Sequence, residues 1–412
     1  MTERIFVATD VGGTFTDLVY FSESTDSGIQ QLKTAKSDTT PPKFEAGVLN
    51  VLDKAQVNVH DIDVMAHGTT VVINALTERK GSKTALITSK GFRDILEIGR
   101  GNRPDFFNLN YQKPEPYVPR YLRYQIEERI SYLGEVQTSL NLDCLPEMLK
   151  SMKSEGVEAI AICLLNAYIN PDHERAIAAA IANYDDEFEV ICSYQVSREW
   201  REYERTSTTV LSAYVQPIAS RYLENLSLGL KERDFQGQLY VMQSNCGVDT
   251  LQAAKQVPIT MVESGPASGF WGAAALGKII GEKNIIALDI GGTTAKCTLI
   301  NNGEVPISSD YYIERSQTSA GYPIMVPVVD LVEIGNGGGS IAWVDEFSKL
   351  HVGPQSAGAL PGPVAYGKGG LNITTTDANL ALGRINADYF CGGEIKADMQ
   401  GVVSSLQQFA DK

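Results

Sequence analysis

The sequence contains little histidine and no closely spaced cysteine pair. Only four of its 412 residues are histidine, and its six cysteines include no Cys-x-x-Cys. Structural zinc sites need cysteine and histidine ligands at short spacings, so the sequence excludes a zinc module of that kind. Several cysteines lie singly in apolar stretches, which predicts buried free thiols in a reducing cytosol.

The sequence also lacks an excess of positive charge. Lysine and arginine total 35 residues against 50 aspartates and glutamates, which gives a net charge of −15. Nucleic acids and anionic membranes attract basic surfaces, so neither is expected as a partner. No apolar run approaches membrane-spanning length, and no apolar signal core follows the initial Met-Thr-Glu-Arg. These absences predict a cytoplasmic protein.

A short glycine-containing sequence is present twice. Asp-Val-Gly-Gly-Thr-Phe-Thr-Asp at residues 10–17 has a near copy, Asp-Ile-Gly-Gly-Thr-Thr-Ala-Lys, at residues 289–296. An apolar, β-branched segment precedes each copy, and another strand-like segment follows the first glycine pair, which predicts β-hairpins. A dinucleotide-binding fingerprint or a Walker loop needs a helix directly after the glycines, so both are excluded.

The residue types in these two hairpins indicate a phosphate site. Glycines let backbone NH groups approach an anion, and threonine hydroxyls add donors. Aspartates can hold a phosphate-bound Mg²⁺ through water. The predicted ATP-binding residues are Gly12, Gly13, Thr14, Thr16, Gly291, Gly292, Thr293 and Thr294. Asp10, Asp289 and Asp17 are predicted for the metal, and the first two also for catalysis.

Strand-like and helix-like segments alternate over much of the chain, which predicts a layered α/β fold. We expect one half over residues 1–200 and a second over 201–412, with one hairpin in each facing a common cleft. The proline-containing stretch at about 91–129 is predicted to be an insertion bordering that cleft, since long irregular loops usually cover a site.

Three further segments carry open interpretations. An Ala/Gly-rich segment after Glu263 predicts a helix whose N-terminus, at Gly265, is another candidate anion site. The charged run from Arg198 is either a solvated helix face or a connector with Arg205 and Thr206 facing the cleft. His67, before Gly-Thr-Thr, is either a general base near neutral pH or a structural residue that anchors a loop.

Other motifs follow one another in a definite order. They are His67-Gly-Thr-Thr, Lys90 to Arg100, Arg201 to Thr209, Glu263-Ser-Gly-Pro-Ala267, Gly337-Gly-Gly-Ser340, Gly353 to Gly358 and Thr376-Asp-Ala-Asn379. With the two hairpins, they resemble the A-type subunit of the hydantoinase/5-oxoprolinase family. That resemblance implies a fold similar to actin, hexokinase and the sugar kinases, in which two halves close on ATP, with the second half incomplete here.

The resemblance also implies a reaction. ATP, with Mg²⁺, would phosphorylate an amide or enolate oxygen, and a B-type subunit in a hetero-oligomer would hydrolyse or carboxylate the activated molecule. The leading expectation is a subunit for the hydrolysis of a cyclic amide. A subunit of an ATP-dependent ketone carboxylase and a noncatalytic structural subunit are the two alternatives.

Three features depart from the family pattern. Lys296 stands where many members have an aspartate, and it would be available to neutralise a phosphate instead. A histidine common two residues after the aspartate before the triple glycine is replaced, which leaves Asp330 and Glu333 as oxygen ligands. Family members also extend past Lys412 with a glycine motif that holds adenosine, so this chain is expected to hold the phosphates without the base.

Overall fold

The computed structural model describes residues 3–24, 28–101, 103–185, 187–316, 318–393 and 396–411. The strands up to residue 200 are β1 (Glu3–Val11), β2 (Phe15–Ser24), β3 (Gly28–Asp38), β4 (Val64–Thr69), β5 (Thr84–Ser89), β6 (Arg123–Ile130), β7 (Val136–Asn141), β8 (Ala159–Cys163) and β9 (Glu189–Cys192). The later strands are β10 (Gln238–Met242), β11 (Val248–Thr250), β12 (Ile285–Ile290), β13 (Ala295–Ile300), β14 (Ile307–Ser308), β15 (Tyr311–Ile313), β16 (Tyr322–Ile324), β17 (Val328–Val329), β18 (Val332–Ile334), β19 (Ser340–Val344) and β20 (Leu350–Ser356).

The helices are distributed between these strands. They are α1 (Phe44–Lys54), α2 (Val71–Thr77), α3 (Ile95–Ile98), α4 (Leu145–Ser154), α5 (Asp172–Tyr184), α6 (Ser193–Val196), α7 (Glu202–Lys231), α8 (Leu251–Gln256), α9 (Ser264–Ile280), α10 (Thr375–Ala381) and α11 (Met399–Ala410). The fold is therefore mixed α/β, as the alternating sequence pattern predicts. Among the described residues, no helix is both long and apolar enough to cross a membrane.

The chain divides into two compact units that differ from the expected halves. The first unit contains residues 1–65, 265–306 and 329–412, and the second contains residues 66–264 and 307–328. A boundary near residue 200 does not match this division, because α7 begins at Glu202 and packs on β8 and β9 within the second unit. Both glycine hairpins lie in the first unit instead of one in each half.

The second unit is built around a five-stranded sheet with the order β7-β6-β5-β8-β9. Its strands are parallel except for the pairing of β6 with β7. Every residue of β5 and β8 is buried, which is typical of parallel strands covered on both faces. Cys163 and Cys192 are buried free thiols at the ends of β8 and β9, as predicted, whereas the free thiol of Cys144 is exposed.

The start of α7 is not a solvated face, and Arg205 does not point into a cleft. Arg205 is 1% exposed and donates hydrogen bonds to Ser193 Oγ at 2.7 Å and to the Leu164 carbonyl at 2.6 Å. Ser193 also donates to Glu174, a fully buried carboxylate. Residues 198–201 of the charged run are exposed, whereas Glu204 and Arg205 at its end are buried, and the Arg205 guanidinium finds acceptors in an internal polar network.

In the first unit, the glycine hairpins belong to two sets of antiparallel strands. One includes the β1-β2-β3 meander, and the other has the order β12-β13-β18. In β2, Thr16, Leu18 and Tyr20 are buried while Asp17 and Val19 are exposed. This period-two pattern directs one face of the meander into the interior. Separately, β19 pairs with β20, and α10 and α11 pack in a further apolar cluster.

Candidate active site

The two glycine sequences form turns with the same hydrogen bond. In the first, β1 and β2 place Asp10 opposite Asp17, and the Gly12 NH donates to the Phe15 carbonyl at 2.9 Å. In the second, β12 and β13 place Asp289 opposite Lys296, and the Gly291 NH donates to the Thr294 carbonyl at 2.9 Å. The duplication in sequence is therefore a duplication of backbone geometry.

The tips of the two turns lie side by side within the first unit. The Thr14 hydroxyl oxygen lies 3.5 Å from the position that a Cβ on Gly292 would occupy. Within the described residues, no hydrogen bond is made by the backbone amides at these tips, those of Gly13, Thr14, Gly292 and Thr293. Unpaired amides on adjacent glycine turns form a concavity that suits an anion.

Thr16 occupies a different environment from the residues at the tips. It is fully buried, and its hydroxyl oxygen lies 3.2 Å from that of Thr39. Thr39 donates from its backbone NH to the Thr14 carbonyl and from its hydroxyl to the Gly12 carbonyl, both at 2.9 Å. Thr16 and Thr39 therefore hold the first turn from behind, and the sequence carries no signal that would have identified Thr39.

Asp10 carries a buried carboxylate with a raised pKa. Its Oδ1 is buried and has no hydrogen-bond partner within the described structure. Burial, followed by the negative charges of Asp17 and Asp289, raises the pKa of Asp10 from 3.8 to about 6, against the opposing charge of Lys36. An orphaned buried oxygen between two other carboxylates is a position where a bound cation would be strongly stabilised.

Asp17 is already engaged by a cation of the protein. Lys36 on β3 lies opposite Asp17 in the strand register, and its Nζ is 2.5 Å from the Asp17 carboxylate. The same Nζ lies 4.9 Å from the centre of the Phe15 ring. Lys36 is a candidate phosphate-neutralising residue that the motif did not contain, since only strand pairing brings it to the turn.

Lys296 is also paired. Its Nζ lies 3.7 Å from Glu333 on β18, and the side chain is largely buried. Within the described parts of the chain, no group of three or more histidine, cysteine, aspartate or glutamate side chains could hold a metal. The aspartates fit a Mg²⁺ carried mainly by phosphate oxygens and waters, and they do not fit a site built from protein ligands alone.

The triple-glycine loop, residues 337–339, supports the second turn. The Gly338 NH donates to the Gly291 carbonyl at 2.9 Å, and the Gly339 NH donates to the Gly292 carbonyl at 2.7 Å. A Cβ on Gly337 would lie 2.7 Å from the carbonyl oxygen of Gly291 and from backbone carbon of Gly292. Only glycine permits the loop to come this close to the turn. The loop binds the carbonyls of Gly291 and Gly292, and the amides at the tip of the turn stay open.

Two predicted residues lie elsewhere. His67, in the second unit, is fully buried on β4, and its Nε2 lies 2.5 Å from the Tyr222 hydroxyl. Burial lowers the pKa of His67 to about 4, which favours the structural interpretation over a general base. Gly265 is the second residue of α9 and is partly buried, so its contact with an anion stays a prediction.

These features define a mixed α/β protein with a candidate anion site formed by two glycine turns and an orphaned carboxylate. Two family models match the chain, "Hydantoinase/oxoprolinase N-terminal region" over residues 6–185 and "Hydantoinase/oxoprolinase" over residues 205–412. The chain belongs to the hydantoinase/oxoprolinase family.

Its relatives include enzymes that depend on ATP. An uncharacterised protein of Methanocaldococcus jannaschii is 41% identical over 98% of this chain and 60% of its own length. The caprolactamase alpha subunit of Pseudomonas jessenii is 35% identical over 97% of this chain and 57% of its own length.

Two solved structures resemble the fold of the whole chain. The nucleotide-free acetone carboxylase superposes with a TM-score of 0.83 and 27% identity, over 100% of this chain and 59% of that chain. The ATP-dependent caprolactamase of Pseudomonas jessenii gives 0.77 and 34% identity, over 98% of this chain and 58% of that chain. The chain thus spans about 60% of the length of these relatives.

Proposed function

We propose that this chain is the ATP-dependent subunit of a cyclic amide hydrolase, which phosphorylates the carbonyl oxygen of a hydantoin, oxoproline or similar lactam. The observation that carries the proposal is the pair of adjacent glycine turns with open amides beside the orphaned Asp10 carboxylate. Exposed tip amides are common in tight hairpins, but a buried carboxylate oxygen without a hydrogen-bond partner is rare in a purely structural one. The similarity to caprolactamase supports a lactam as the substrate class.

In this proposal, the amides of Gly13, Thr14, Gly292 and Thr293 hold the phosphates of ATP, with the Thr14 hydroxyl as a further donor. Gly12 and Gly291 form the closing hydrogen bonds of the turns, Thr16 supports the first turn, and Thr294 accepts in the second. Lys36 balances negative charge near the first turn. Phosphoryl transfer depends mainly on such positioning and charge stabilisation, so these contacts suffice for most of the catalysis.

Bound ATP and Mg²⁺ would supply a transferable phosphoryl group and neutralise its charge. Asp10 and Asp289 would hold the Mg²⁺, and Asp17 would be a weaker ligand because Lys36 already pairs with it. Transfer of the γ-phosphoryl group to the amide oxygen would break its bond to the bridging oxygen, release ADP and turn the amide oxygen into a good leaving group. We propose that the two turns hold the phosphates as in an actin- or sugar-kinase-like ATP site, with both turns in one unit of this chain instead of one in each half.

We propose further that a B-type subunit completes the reaction in a hetero-oligomer. The chain matches only about 60% of its relatives' length, and the caprolactamase relative is itself a subunit. The sheet of β12, β13 and β18 in the first unit has an exposed apolar face, which supports assembly with another subunit. The partner would hydrolyse the phosphorylated amide.

Carboxylation of a ketone is the second candidate, because the acetone carboxylase structure has the higher TM-score, 0.83 against 0.77. In that case the chain would activate an enolate oxygen of the ketone. ATP turnover that requires bicarbonate and a ketone, and that lactams do not stimulate, would establish ketone carboxylation and exclude lactam hydrolysis.

The test is calorimetric titration of the chain with Mg·ATP, followed by ATP hydrolysis with lactams in the presence of a B-type partner. We expect Asp10→Asn to reduce turnover by roughly 100-fold or more, the scale seen when one preorganised charge-stabilising group is removed. Asp143→Asn, an exposed aspartate in the second unit, is the matched control and should leave turnover unchanged.

A noncatalytic structural subunit predicts a different result. Complex activity would then survive Asp10→Asn, and Mg·ATP would fail to bind the wild-type chain even with the partner present. If the chain hydrolyses ATP but no cyclic amide stimulates that hydrolysis, the assignment of a lactam as the substrate is wrong and the assignment of an ATP site stands.

A further inference from the structure

Strand β3, in the first unit, has one edge without a partner strand. It pairs with β2 and, within the described residues, with no other strand. β3 is 11 residues long, and residues 31–34 are exposed. The open edge of a strand presents backbone NH and carbonyl groups with which another extended chain can form a ladder. This edge is therefore a candidate binding surface for a polypeptide.

The strand register shows which backbone groups of β3 point to the open edge. The hydrogen bond from Gly12 to Phe15 closes the first turn, and hydrogen-bonded pairs recur at every second residue of an antiparallel ladder. The odd-numbered residues of β2 therefore bond to β1, and its even-numbered residues bond to odd-numbered residues of β3. The NH and carbonyl groups of Leu32, Thr34 and Lys36 consequently point away from β2.

A contact with α1 supports this orientation. The Lys54 Nζ donates to the Lys36 carbonyl at 2.5 Å, and the register places that carbonyl on the open edge. The NH and carbonyl groups of Leu32 and Thr34 have no hydrogen-bond partner on this edge within the described structure. The unpaired part of the edge is long enough for a short strand to pair with it.

A groove of about 700 Å³ lies beside this edge and is rich in lysine. Lys33, Lys36 and Lys54 line it, and Asp17 is the one acid among its described lining residues. Lys36 pairs with Asp17 at 2.5 Å, whereas Lys33 has no acidic partner within the described structure. The Lys33 Nζ lies 5.3 Å from the centre of the Tyr20 ring. A cationic groove in a chain of net charge −15 favours an anionic occupant.

The same lysines disfavour a second copy of this chain as the occupant. Pairing of two β3 edges about a two-fold axis would bring the lysines of both copies together, and like charges across a strand pair are destabilising. Lysine on an edge strand commonly prevents self-association for this reason. An acidic strand would instead meet these lysines with the opposite charge.

The two faces of the meander next to the edge differ in character. Lys33 lies on the same face as Tyr20, whereas Leu32 and Val19 lie on the other face. Leu32 is 69% exposed and Val19 is 41% exposed, so an added strand could cover apolar surface there. Because side chains of a strand alternate between faces, a segment that alternates acidic and apolar residues fits both faces at once.

We propose that the open edge of β3 binds an extended acidic segment of another polypeptide, which adds a strand to the meander. The backbone of the segment pairs with Leu32, Thr34 and Lys36. Its carboxylates meet Lys33 and Lys54, and its apolar side chains lie on the opposite face. The inference uses neither the amides of the glycine turns nor bound ATP, so it goes beyond the proposed function and does not depend on it.

The first test compares two fluorescent synthetic peptides of about eight residues, within the usual length of a strand. One alternates glutamate and valine, and the other has glutamine in place of each glutamate. Fluorescence anisotropy follows their binding to the full chain without ATP. We expect the acidic peptide to bind, and the glutamine peptide to bind roughly 10-fold more weakly because it lacks the charge attraction. Added salt should weaken the acidic peptide more than the glutamine peptide.

The second test examines the strand pairing itself. Thr34→Pro removes an NH from the open edge and keeps the bonds to β2, so it should weaken the acidic peptide roughly 5-fold, the effect of one backbone hydrogen bond. Thr34→Ala is the matched control and should bind like the wild type. Hydrogen exchange of the Leu32, Thr34 and Lys36 amides should slow when the peptide binds, because these NH groups become hydrogen-bonded.

The third test examines the charge of the groove. Lys33→Gln should weaken the acidic peptide roughly 5-fold and leave the glutamine peptide unchanged. Lys150→Gln, at an exposed lysine of α4 in the second unit, is the matched control. Thermal melts establish that each variant is folded.

Several results would overturn the proposal. They are equal affinity for the two peptides, no binding of the acidic peptide, and binding that leaves the exchange of the edge amides unchanged. The last result would mean that the lysines attract the peptide without strand pairing. Tripolyphosphate that binds the chain and loses affinity in Lys33→Gln, with no binding of the acidic peptide, would assign the groove to a small anion instead.

Discussion

At the scale of single residues, Asp10 combines a cost in stability with a proposed role in catalysis. Its carboxylate is partly buried beside Asp17 and Asp289, and Oδ1 has no hydrogen-bond partner in the described structure. Such an unsatisfied group disfavours folding, and active sites commonly retain strained or repulsive arrangements of this kind. This cost in stability depends on pH, so it can be measured without any substrate.

The pKa of Asp10 predicts how stability depends on pH. The pKa is about 6 in the folded chain against an ordinary 3.8, so the folded state holds its proton more tightly. The unfolding free energy should therefore fall between about pH 4 and pH 6 and reach a constant penalty above that, at most about 3 kcal/mol. Asp10→Asn should raise the melting temperature at pH 8 and leave it unchanged below pH 4, as followed by calorimetry.

Asp143→Asn serves as the control at each pH because its carboxylate is exposed. If Asp10→Asn lowered stability equally at pH 4 and pH 8, the carboxylate would be making a favourable contact in the folded chain. The conclusion that burial and the charges of Asp17 and Asp289 disfavour the ionised Asp10 carboxylate would then be wrong.

At the scale of secondary-structure elements, the triple-glycine loop determines the shape of the second turn. The loop runs along the turn with two backbone hydrogen bonds, and the Thr376 NH, at the start of α10, donates to the Gly338 carbonyl at 2.8 Å. Asp377, also in α10, is fully buried and accepts from the Ala365 NH and the Thr374 hydroxyl, both at 2.8 Å. The turn is thus supported by a loop that is itself anchored by a buried carboxylate.

Gly337→Ala should therefore destabilise the first unit. The new Cβ would meet backbone atoms of residues 291 to 293 at 2.7 Å, and backbone cannot move aside as a side chain can. We expect a loss of about 1–3 kcal/mol, the usual cost of overpacking, measured by denaturant unfolding. Gly335→Ala is the control, since nothing lies within 4 Å of its Cβ position and its substitution should be nearly neutral. Equal effects of the two changes would show that close packing of the loop is not the cause.

At the scale of the whole molecule, one sheet face in the first unit is apolar and exposed. The register of β12, β13 and β18 places Ile286, Leu288, Ile290, Ala295, Cys297, Leu299, Val332 and Ile334 on a single face. Leu288 is 60% exposed and Leu299 is 63% exposed. Contiguous apolar surface of this kind is normally covered by another polypeptide surface.

The isolated chain should consequently bind a hydrophobic fluorescent dye at this face. We expect Leu288→Lys or Leu299→Lys to reduce dye fluorescence strongly, with stability changed by no more than about 0.5 kcal/mol because both side chains are exposed. Leu32→Lys is the control, since Leu32 is 69% exposed on β3, which belongs to a different sheet. Unchanged fluorescence in the two variants would mean that the face is covered in solution.

Local patterns in the sequence predicted several of the strands and helices, and they identified the family. Apolar runs and glycine positions predicted β8, α5, α9 and the two hairpins, because strand and helix periodicity and tight turns depend on near neighbours. The motif order identified the hydantoinase/oxoprolinase family. The sequence alone also indicated which residues would stand at the tips of the turns, since these belong to one short peptide.

Tertiary structure decided which residues act together. Lys36, Thr39 and the triple-glycine loop reach the turns only through strand pairing and packing over long stretches of chain, which no local pattern encodes. Thr16, His67 and Arg205 are polar and lie in the interior, where each has a hydrogen-bond partner from another part of the chain. The division into units likewise followed from packing, since segments far apart in the chain share a core and a boundary read along the sequence cannot show it.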